Sequence, residues 1–103
     1  MGNRCNDQQM RALEKFGIEG QMQKTIEELA ELIQPISKAL IEIRNTGSIK
    51  HETALSIVKE RFDVGYMLPQ LDEGMRLLYQ DYDKDLKVVE SAEFVRMEDR
   101  LNE

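Results

Sequence analysis

Apolar residues recur in alternating steps of four and three between positions 22 and 43 of the chain. This spacing puts them on one side of an α-helix, and such a side usually packs against another helix. We call it the heptad face; it consists of Met22, Ile26, Leu29, Ile33, Ile36, Leu40 and Ile43. The pattern predicts a helix that starts near residue 18 and ends before the polar residues 45–48.

A shorter helix is predicted before the heptad helix. Asn6 or Asp7 offers the side-chain oxygen that caps a helix N-terminus. This first helix should end near Phe16, because Gly17 and Gly20 follow it closely and glycine commonly terminates helices.

A third helix is predicted over residues 49–79, with Ser48 as its N-cap, and it is apolar on two sides. One stripe consists of Ile57, Val64, Leu68, Leu71, Met75 and Leu78, and the other of Leu55, Val58, Phe62 and Tyr66. A helix with two apolar sides is typical of the middle of a bundle. With a fourth helix over residues 86–101, the predicted fold is an all-α, four-helix bundle that is completed by oligomerisation and forms a single domain over residues 1–103.

Pro35 and Pro69 lie inside the two long helices. Because a proline lacks the backbone N–H and clashes with the carbonyl four residues earlier, each is expected to kink its helix. The kink at Pro35 would lie beside acidic residues, and Gly65 would ease the clash at Pro69.

Acidic residues form two groups at helical spacing. Glu27, Glu28 and Glu31 fall on consecutive turns of the heptad helix. Glu60 and Asp63 lie one turn apart on the third helix, so the two groups can converge across a helix–helix contact. Carboxylates that meet in a partly dry space repel one another unless a divalent cation lies between them.

Glu60 is the acidic residue whose position most needs an explanation. It falls within an apolar stripe of the third helix, and a carboxylate is rarely buried without a partner. The partner is either a metal ion or a cation such as Lys59, Arg61 or a lysine of a neighbouring helix. Glu28 and Glu31, by contrast, lie roughly opposite the heptad face, where charged side chains are usually solvated.

Charge and composition narrow the class of protein. The 103 residues carry a net charge of −6, with 33% charged and 41% hydrophobic residues, as is typical of an ordered, soluble domain. Because there is no basic block and no apolar run as long as a membrane span, neither nucleic acid nor membrane is an expected partner. The single Cys5 and the absence of a signal-peptide pattern favour the cytoplasm.

A chain this short is expected to bury its apolar faces by forming a symmetric homo-oligomer.

The acidic residues and their flanks resemble those of a known family. The acidic pattern reads Glu27-Glu28-x-x-Glu31 and then, after a gap of 28 residues, Glu60-x-x-Asp63. It is similar to the EExxE…ExxD signature of the MazG-like all-α nucleotide pyrophosphohydrolases. The segments FGIEGQMQKTIEELAELIQPISK and ERFDVGYMLPQL are similar to those of the short, single-domain, phage-type members. The resemblance covers residues 16–80, and the two prolines depart from it.

The resemblance implies an enzyme that converts a nucleoside triphosphate and water to the monophosphate and pyrophosphate. It implies Mg²⁺ as the cofactor, with Mn²⁺ as an alternative, and a homodimer or homotetramer whose helices form shared bundles. The implied metal ligands are Glu28, Glu31, Glu60 and Asp63. Glu27 would hold a second metal ion or orient the attacking water, and it is the candidate for accepting the proton.

Two basic residues are candidates for contacts with the substrate phosphates. Lys38 lies on the same helix face as Glu31, two turns further on, and Arg96 lies in the last helix. For both residues the alternative interpretation, a solvated surface charge, stays open.

Two other functions stay open as well. A non-enzymatic helical interaction module would explain the heptad face equally well, but it would have no use for Glu60 within an apolar stripe. A phosphoribosyl-nucleotide pyrophosphohydrolase of the same fold would share the acidic helices. The base and sugar preferences of such an enzyme are not encoded in the acidic motif.

Overall fold

A computed structural model describes residues 4–103, and it confirms the all-α prediction. Helix α1 spans Asp7–Thr46, α2 spans His51–Leu78 and α3 spans Tyr82–Leu101. Across the described part of the chain there is no strand. No helix in this part is long and apolar enough to cross a membrane.

The two helices predicted before residue 46 are both part of α1, which changes direction at Gly17. Gly17 has φ 78° and ψ 168°, a conformation that glycine adopts readily and that no helix contains. We call residues 7–16 the arm and residues 18–46 the stem. The predicted cap of the arm is confirmed: Asn6 accepts a hydrogen bond from the Gln9 backbone, and the Gln9 side chain accepts one in return.

The arm lies against α2. The Gln9 side chain donates a hydrogen bond of 2.7 Å to the Tyr66 carbonyl, and Leu13 is buried. At the start of the stem, Ile18 lies so close to Gly74 that a Cβ on this glycine would be 3.0 Å from Ile18 Cγ2. The stem then runs antiparallel to α2, with its end next to the start of that helix, so arm, stem and α2 form one packed unit.

The start of α2 differs from the prediction. Its N-cap is Lys50, not Ser48, and the Lys50 side chain makes no capping hydrogen bond to the helix backbone. Instead, the carboxylate of Glu42 on the stem accepts hydrogen bonds from the Lys50 backbone N–H (2.9 Å) and the Thr53 hydroxyl (2.7 Å). The prediction of Ser48 was wrong because Glu42, which lies on the preceding helix, binds one backbone N–H and one hydroxyl at this terminus and so fixes where α2 begins.

Helix α3 contacts α2 near the turn that joins them and has no buried residue. It starts at Tyr82, four residues before the predicted residue 86. Arg76 pairs with Asp83 at 3.0 Å across this turn. The apolar residues of α3 are largely exposed, so they do not complete a four-helix bundle with the described residues of the same chain.

The stem packs on α2 through a face other than the heptad face. Its buried residues are Gln21, Thr25, Glu28 and Ala39. Ile26 and Ile33 of the heptad face are 67% and 62% exposed. The expectation that Glu28 is solvated opposite the packed face was therefore wrong, because in this chain the packed face includes Glu28.

Both prolines lie within continuous helix. Among the described residues of α1 only Gly17 has non-helical dihedral angles, so Pro35 does not interrupt the stem. Pro69 is buried inside α2. Each proline removes one backbone hydrogen bond, and the helix continues on both sides of it.

Candidate metal centre and its two grooves

Three carboxylates converge where the stem crosses α2. Glu28 comes from the stem, and Glu60 and Asp63 come from consecutive turns of α2. One oxygen from each of the three lies within 4.8 Å of the others. The convergence follows from the antiparallel packing, which sets one turn of the stem against the two turns of α2 that carry the i, i+3 pair.

Two oxygens of this acidic cluster are buried without a partner. Glu28 is 6% exposed, and neither its Oε2 nor the Oε2 of Glu60 has a hydrogen-bond partner. A buried carboxylate oxygen without a donor costs free energy, which a cation would recover. The orphaned oxygens are therefore the observation that makes this cluster more than a patch of surface charge.

Two lysines offset part of the negative charge at the rim. Lys24 Nζ is 3.0 Å from Glu28 Oε1, and Lys59 Nζ is 3.0 Å from Asp63 Oδ2 and 3.4 Å from Glu60 Oε1. The pKa of each lysine is raised, mainly by its hydrogen bond to Glu28 or Asp63 respectively. The salt bridge considered for Glu60 thus exists, but it engages one of the two carboxylate oxygens and leaves the other unpaired.

Glu31 lies beside the cluster, outside the group of three. The negative charge of Glu28 raises the pKa of Glu31, with smaller contributions from desolvation and from the charge of Glu60. This residue is exposed.

An aromatic groove of about 770 Å³ opens on one side of the cluster. The arm, the stem and α2 form its three walls, so the groove exists because the chain reverses at Gly17. Its main lining residues are Phe16, Phe62, Tyr66, Met67, Gln70, Gln8, Gln21 and Gln23, and Glu28 and Asp63 border it. Glu27 also borders this groove; it is exposed, and its Oε2 is 3.9 Å from Lys24 Nζ.

Gln70 is a polar residue of this groove that the sequence analysis missed. It is 2% exposed, and its Oε1 has no hydrogen-bond partner. One signal in the sequence pointed to it: Asp63, Met67, Gln70 and Gly74 continue along one face of α2 in steps of four, three and four. A glutamine on the face that carries the acids was a candidate for the site.

A smaller lysine groove of about 320 Å³ lies on the other side of the cluster. It is lined by Glu31, Gln34, Pro35, Lys38, Ser56 and Glu60. Lys38 therefore shares a groove with two of the predicted metal ligands. The cluster lies between a groove with aromatic walls and a groove that carries a cation.

Arg96 is not brought to either groove within this chain. It lies on α3, where its Nε is 2.9 Å from Glu93 Oε2. This pair is three residues apart on one helix, as is common on a solvated surface.

Comparisons with family models, with curated proteins and with solved structures gave no match for this chain.

Proposed function

We propose that this protein is a Mg²⁺-dependent nucleoside triphosphate pyrophosphohydrolase of the MazG-like class, with Mn²⁺ as an alternative metal. The observation that carries the proposal is the pair of buried, unpartnered oxygens of Glu28 and Glu60 within a cluster of three carboxylates. Structural ion pairs alone would leave these two atoms unsatisfied, whereas a divalent cation would use them.

The donor set fits the proposed metal. Mg²⁺ prefers oxygen ligands and keeps several waters, so a few carboxylates and a substrate phosphate are enough to hold it. Glu28, Glu60 and Asp63 would bind the ion, with Glu31 next to them as the fourth carboxylate of the proposed ligand set. Bound there, the ion would neutralise phosphate charge and lower the pKa of a coordinated water.

The two grooves support an orientation for the substrate. Lys38 in the lysine groove is suited to the terminal phosphates, because an ammonium attracts phosphate oxygens. The remainder of the nucleotide would then occupy the aromatic groove. The attacking water forms a bond to the α-phosphorus, the bond from this phosphorus to the bridging oxygen breaks, and pyrophosphate leaves with its electrons.

Glu27 is the proposed acceptor of the proton from this water. It is exposed at the edge of the aromatic groove, one residue before Glu28, and its ion pair with Lys24 is long at 3.9 Å. A carboxylate in contact with water at this position can accept a proton.

The proposal includes a homodimer or homotetramer in the cytoplasm. The exposed heptad face and the exposed apolar residues of α3 support self-association, because a monomer rarely leaves apolar surfaces of this extent in water. Covering the heptad face with a second stem would complete a helical bundle that one chain leaves unfinished.

A non-enzymatic interaction module is the second candidate function, and the same exposed apolar surface favours it. The experiment that separates the two is a panel of ribo- and deoxyribonucleoside triphosphates assayed for pyrophosphate release with Mg²⁺ and with EDTA. We expect metal-dependent release of pyrophosphate from at least one nucleotide. No release from any nucleotide, with no heat of Mg²⁺ binding by calorimetry, would reject the enzyme.

A further inference from the structure

Gln70 is the most deeply buried large side chain of the described residues, although it is polar. Its Nε2 donates only to the Met67 sulfur at 3.9 Å, which is a weak hydrogen bond, and its Oε1 has no partner. A buried amide is normally satisfied by the protein around it. Here the protein leaves the amide oxygen without a donor and gives the amide nitrogen only a weak acceptor.

The surroundings of Gln70 favour a flat, aromatic ligand. Gln70 lines the aromatic groove, and so do Phe62 and Tyr66, whose rings are 6.2 Å apart at an angle of 25°. Aromatic rings in this arrangement can stack on a planar ligand. Phe62 is 68% exposed, so a ligand in the groove can reach its ring. The groove therefore combines an apolar, aromatic wall with the buried amide of Gln70, whose oxygen has no partner.

The same groove borders the acidic cluster through Glu28 and Asp63. A ligand that stacks in the groove has one end beside these carboxylates. A nucleotide has this layout, because its heteroaromatic base carries a hydrogen-bonding edge and is joined through a sugar to phosphates that a metal ion can hold. The base edge pairs an N–H with an acceptor, which an amide matches with two hydrogen bonds.

We infer that the aromatic groove is the nucleobase subsite and that Gln70 binds the base edge, an inference that rests on the proposed function. Oε1 accepts a hydrogen bond from a base N–H, and Nε2 exchanges its weak contact with sulfur for a base acceptor. The unbranched side chain of Met67 can rotate to admit the base edge to Gln70. Base selectivity then depends on a residue outside the acidic motif.

The first test uses binding without phosphate or metal. Nucleosides are titrated into protein labelled with ¹⁵N, and the side-chain amide signal of Gln70 is followed by NMR. We expect at least one nucleoside to bind in the millimolar range and to shift this signal. Gln70→Met keeps the length of the side chain and removes both hydrogen bonds, and it should weaken nucleoside binding at least tenfold. Gln80→Met, at an exposed position of the turn between α2 and α3, should leave it unchanged.

The second test compares a nucleotide with a base-free substrate. Gln70→Met should lower kcat/KM for the preferred nucleoside triphosphate at least tenfold and leave the hydrolysis of inorganic tripolyphosphate unchanged. An equal loss on both substrates would show that Gln70 acts only on the structure of the site and would overturn the inference. Thermal melting shows whether Gln70→Met is folded. If it is not, the nucleoside titration of the parent protein, followed through the Gln70 amide signal, decides whether the base subsite exists.

The outcomes separate this inference from the proposed function. Pyrophosphate release by a protein whose Gln70 signal no nucleoside shifts, even at tens of millimolar, would overturn the base subsite and leave the enzyme standing. Nucleoside binding that depends on Gln70, with no pyrophosphate release from any triphosphate, would support the subsite and reject the enzyme.

Discussion

The two carboxylate oxygens of Glu60 lie in different environments, one at the surface and one buried. Its Oε1 lies 3.4 Å from Lys59 Nζ at the protein surface, and its Oε2 is buried without a partner. A side chain in this position gains little from its charge in the metal-free protein, since an exposed ion pair contributes about 0–1 kcal/mol. The negative charge of Glu60 would contribute more to the free energy if a cation were bound to its buried oxygen.

We therefore predict opposite effects of Glu60→Gln on activity and on stability. Pyrophosphate release should fall more than about a hundredfold, because the metal loses a charged ligand. The melting temperature in EDTA should stay the same or rise, because one repelling charge leaves the cluster. Glu98→Gln, an exposed change of the same kind on α3, serves as the control. A loss of several kcal/mol in EDTA would mean that Glu60 is a structural ion-pair partner.

Gln70 leads to a second prediction at the residue scale. Its unsatisfied buried oxygen costs free energy in the unliganded protein, so Gln70→Met should raise the free energy of unfolding by about 1 kcal/mol. Chemical denaturation at neutral pH measures the difference. A stabilised variant with weaker nucleotide binding would show a trade between stability and function, whereas clear destabilisation would indicate that the amide has a partner in solution.

At the scale of elements, side-chain hydrogen bonds hold the helices at their connections. The hydroxyl of Tyr82, the first residue of α3, donates to Asp72 Oδ1 on α2. This hydrogen bond is the main cause that raises the pKa of Tyr82 to about 12, and desolvation adds to it. The orientation of α3 depends on such contacts because none of its residues is buried against the described part of the chain.

The raised pKa of Tyr82 gives a pH-dependent prediction. The stabilisation is fully present below pH 10, the ordinary tyrosine value, and is lost as pH rises through about 12. Tyr82→Phe should therefore lower the free energy of unfolding by roughly 1–2 kcal/mol at neutral pH. Urea denaturation of both proteins between pH 7 and pH 12 should show this difference shrinking above pH 10. A difference that is constant with pH would contradict the role of the hydroxyl.

At the scale of the whole molecule, the chain is flat and elongated, with extents of 48 × 38 × 19 Å. Among residues 4–103 the buried hydrophobic side chains are few: Leu13, Ala39, Val64 and Met67. A core of this size offers little hydrophobic stabilisation, so a ligand or partner that binds only the folded state would raise the free energy of unfolding by a large fraction of its value. Both a metal ion and a second chain are expected to act in this way.

Metal binding should raise the melting temperature. At a concentration about a hundred times the Kd, Mg²⁺ should add about 2.7 kcal/mol to the free energy of unfolding by mass action. Differential scanning calorimetry with increasing Mg²⁺ measures this shift, and the shift should disappear in Asp63→Asn. If Na⁺ at matched ionic strength raised the melting temperature equally, the shift would result from screening of the negative charges and not from a specific metal site.

Self-association should depend on the heptad face. We expect sedimentation equilibrium at micromolar concentration to show a dimer or tetramer, and Ile33→Glu to shift it toward monomer, because a charge in an apolar interface is costly. Asn45→Glu adds the same charge at an exposed polar position near the end of the stem and should change little. A stable monomer of the parent protein would contradict the proposed assembly.

The sequence by itself determined the local features of this protein. Helical periodicity predicted an all-α chain, and the preference of asparagine and aspartate for helix N-termini predicted a cap at Asn6 or Asp7. The i, i+3 spacing of Glu60 and Asp63 was enough to predict that both carboxylates project from one face of α2. These features depend on neighbours within a turn or two of the same helix, and a sequence pattern records such neighbours directly.

Only the tertiary structure decided which faces meet. The heptad face has the stronger apolar pattern, yet the stem packs on α2 through Thr25, Glu28 and Ala39. Periodicity identifies an apolar face but not the surface that covers it, which is why the burial of Glu28 was mispredicted. The reversal at Gly17 likewise depends on contacts of the arm with α2, and it creates the groove in which Gln70 is buried. The charge of an acidic motif can be identified from sequence, whereas the surroundings that leave its oxygens without partners arise when distant segments pack together.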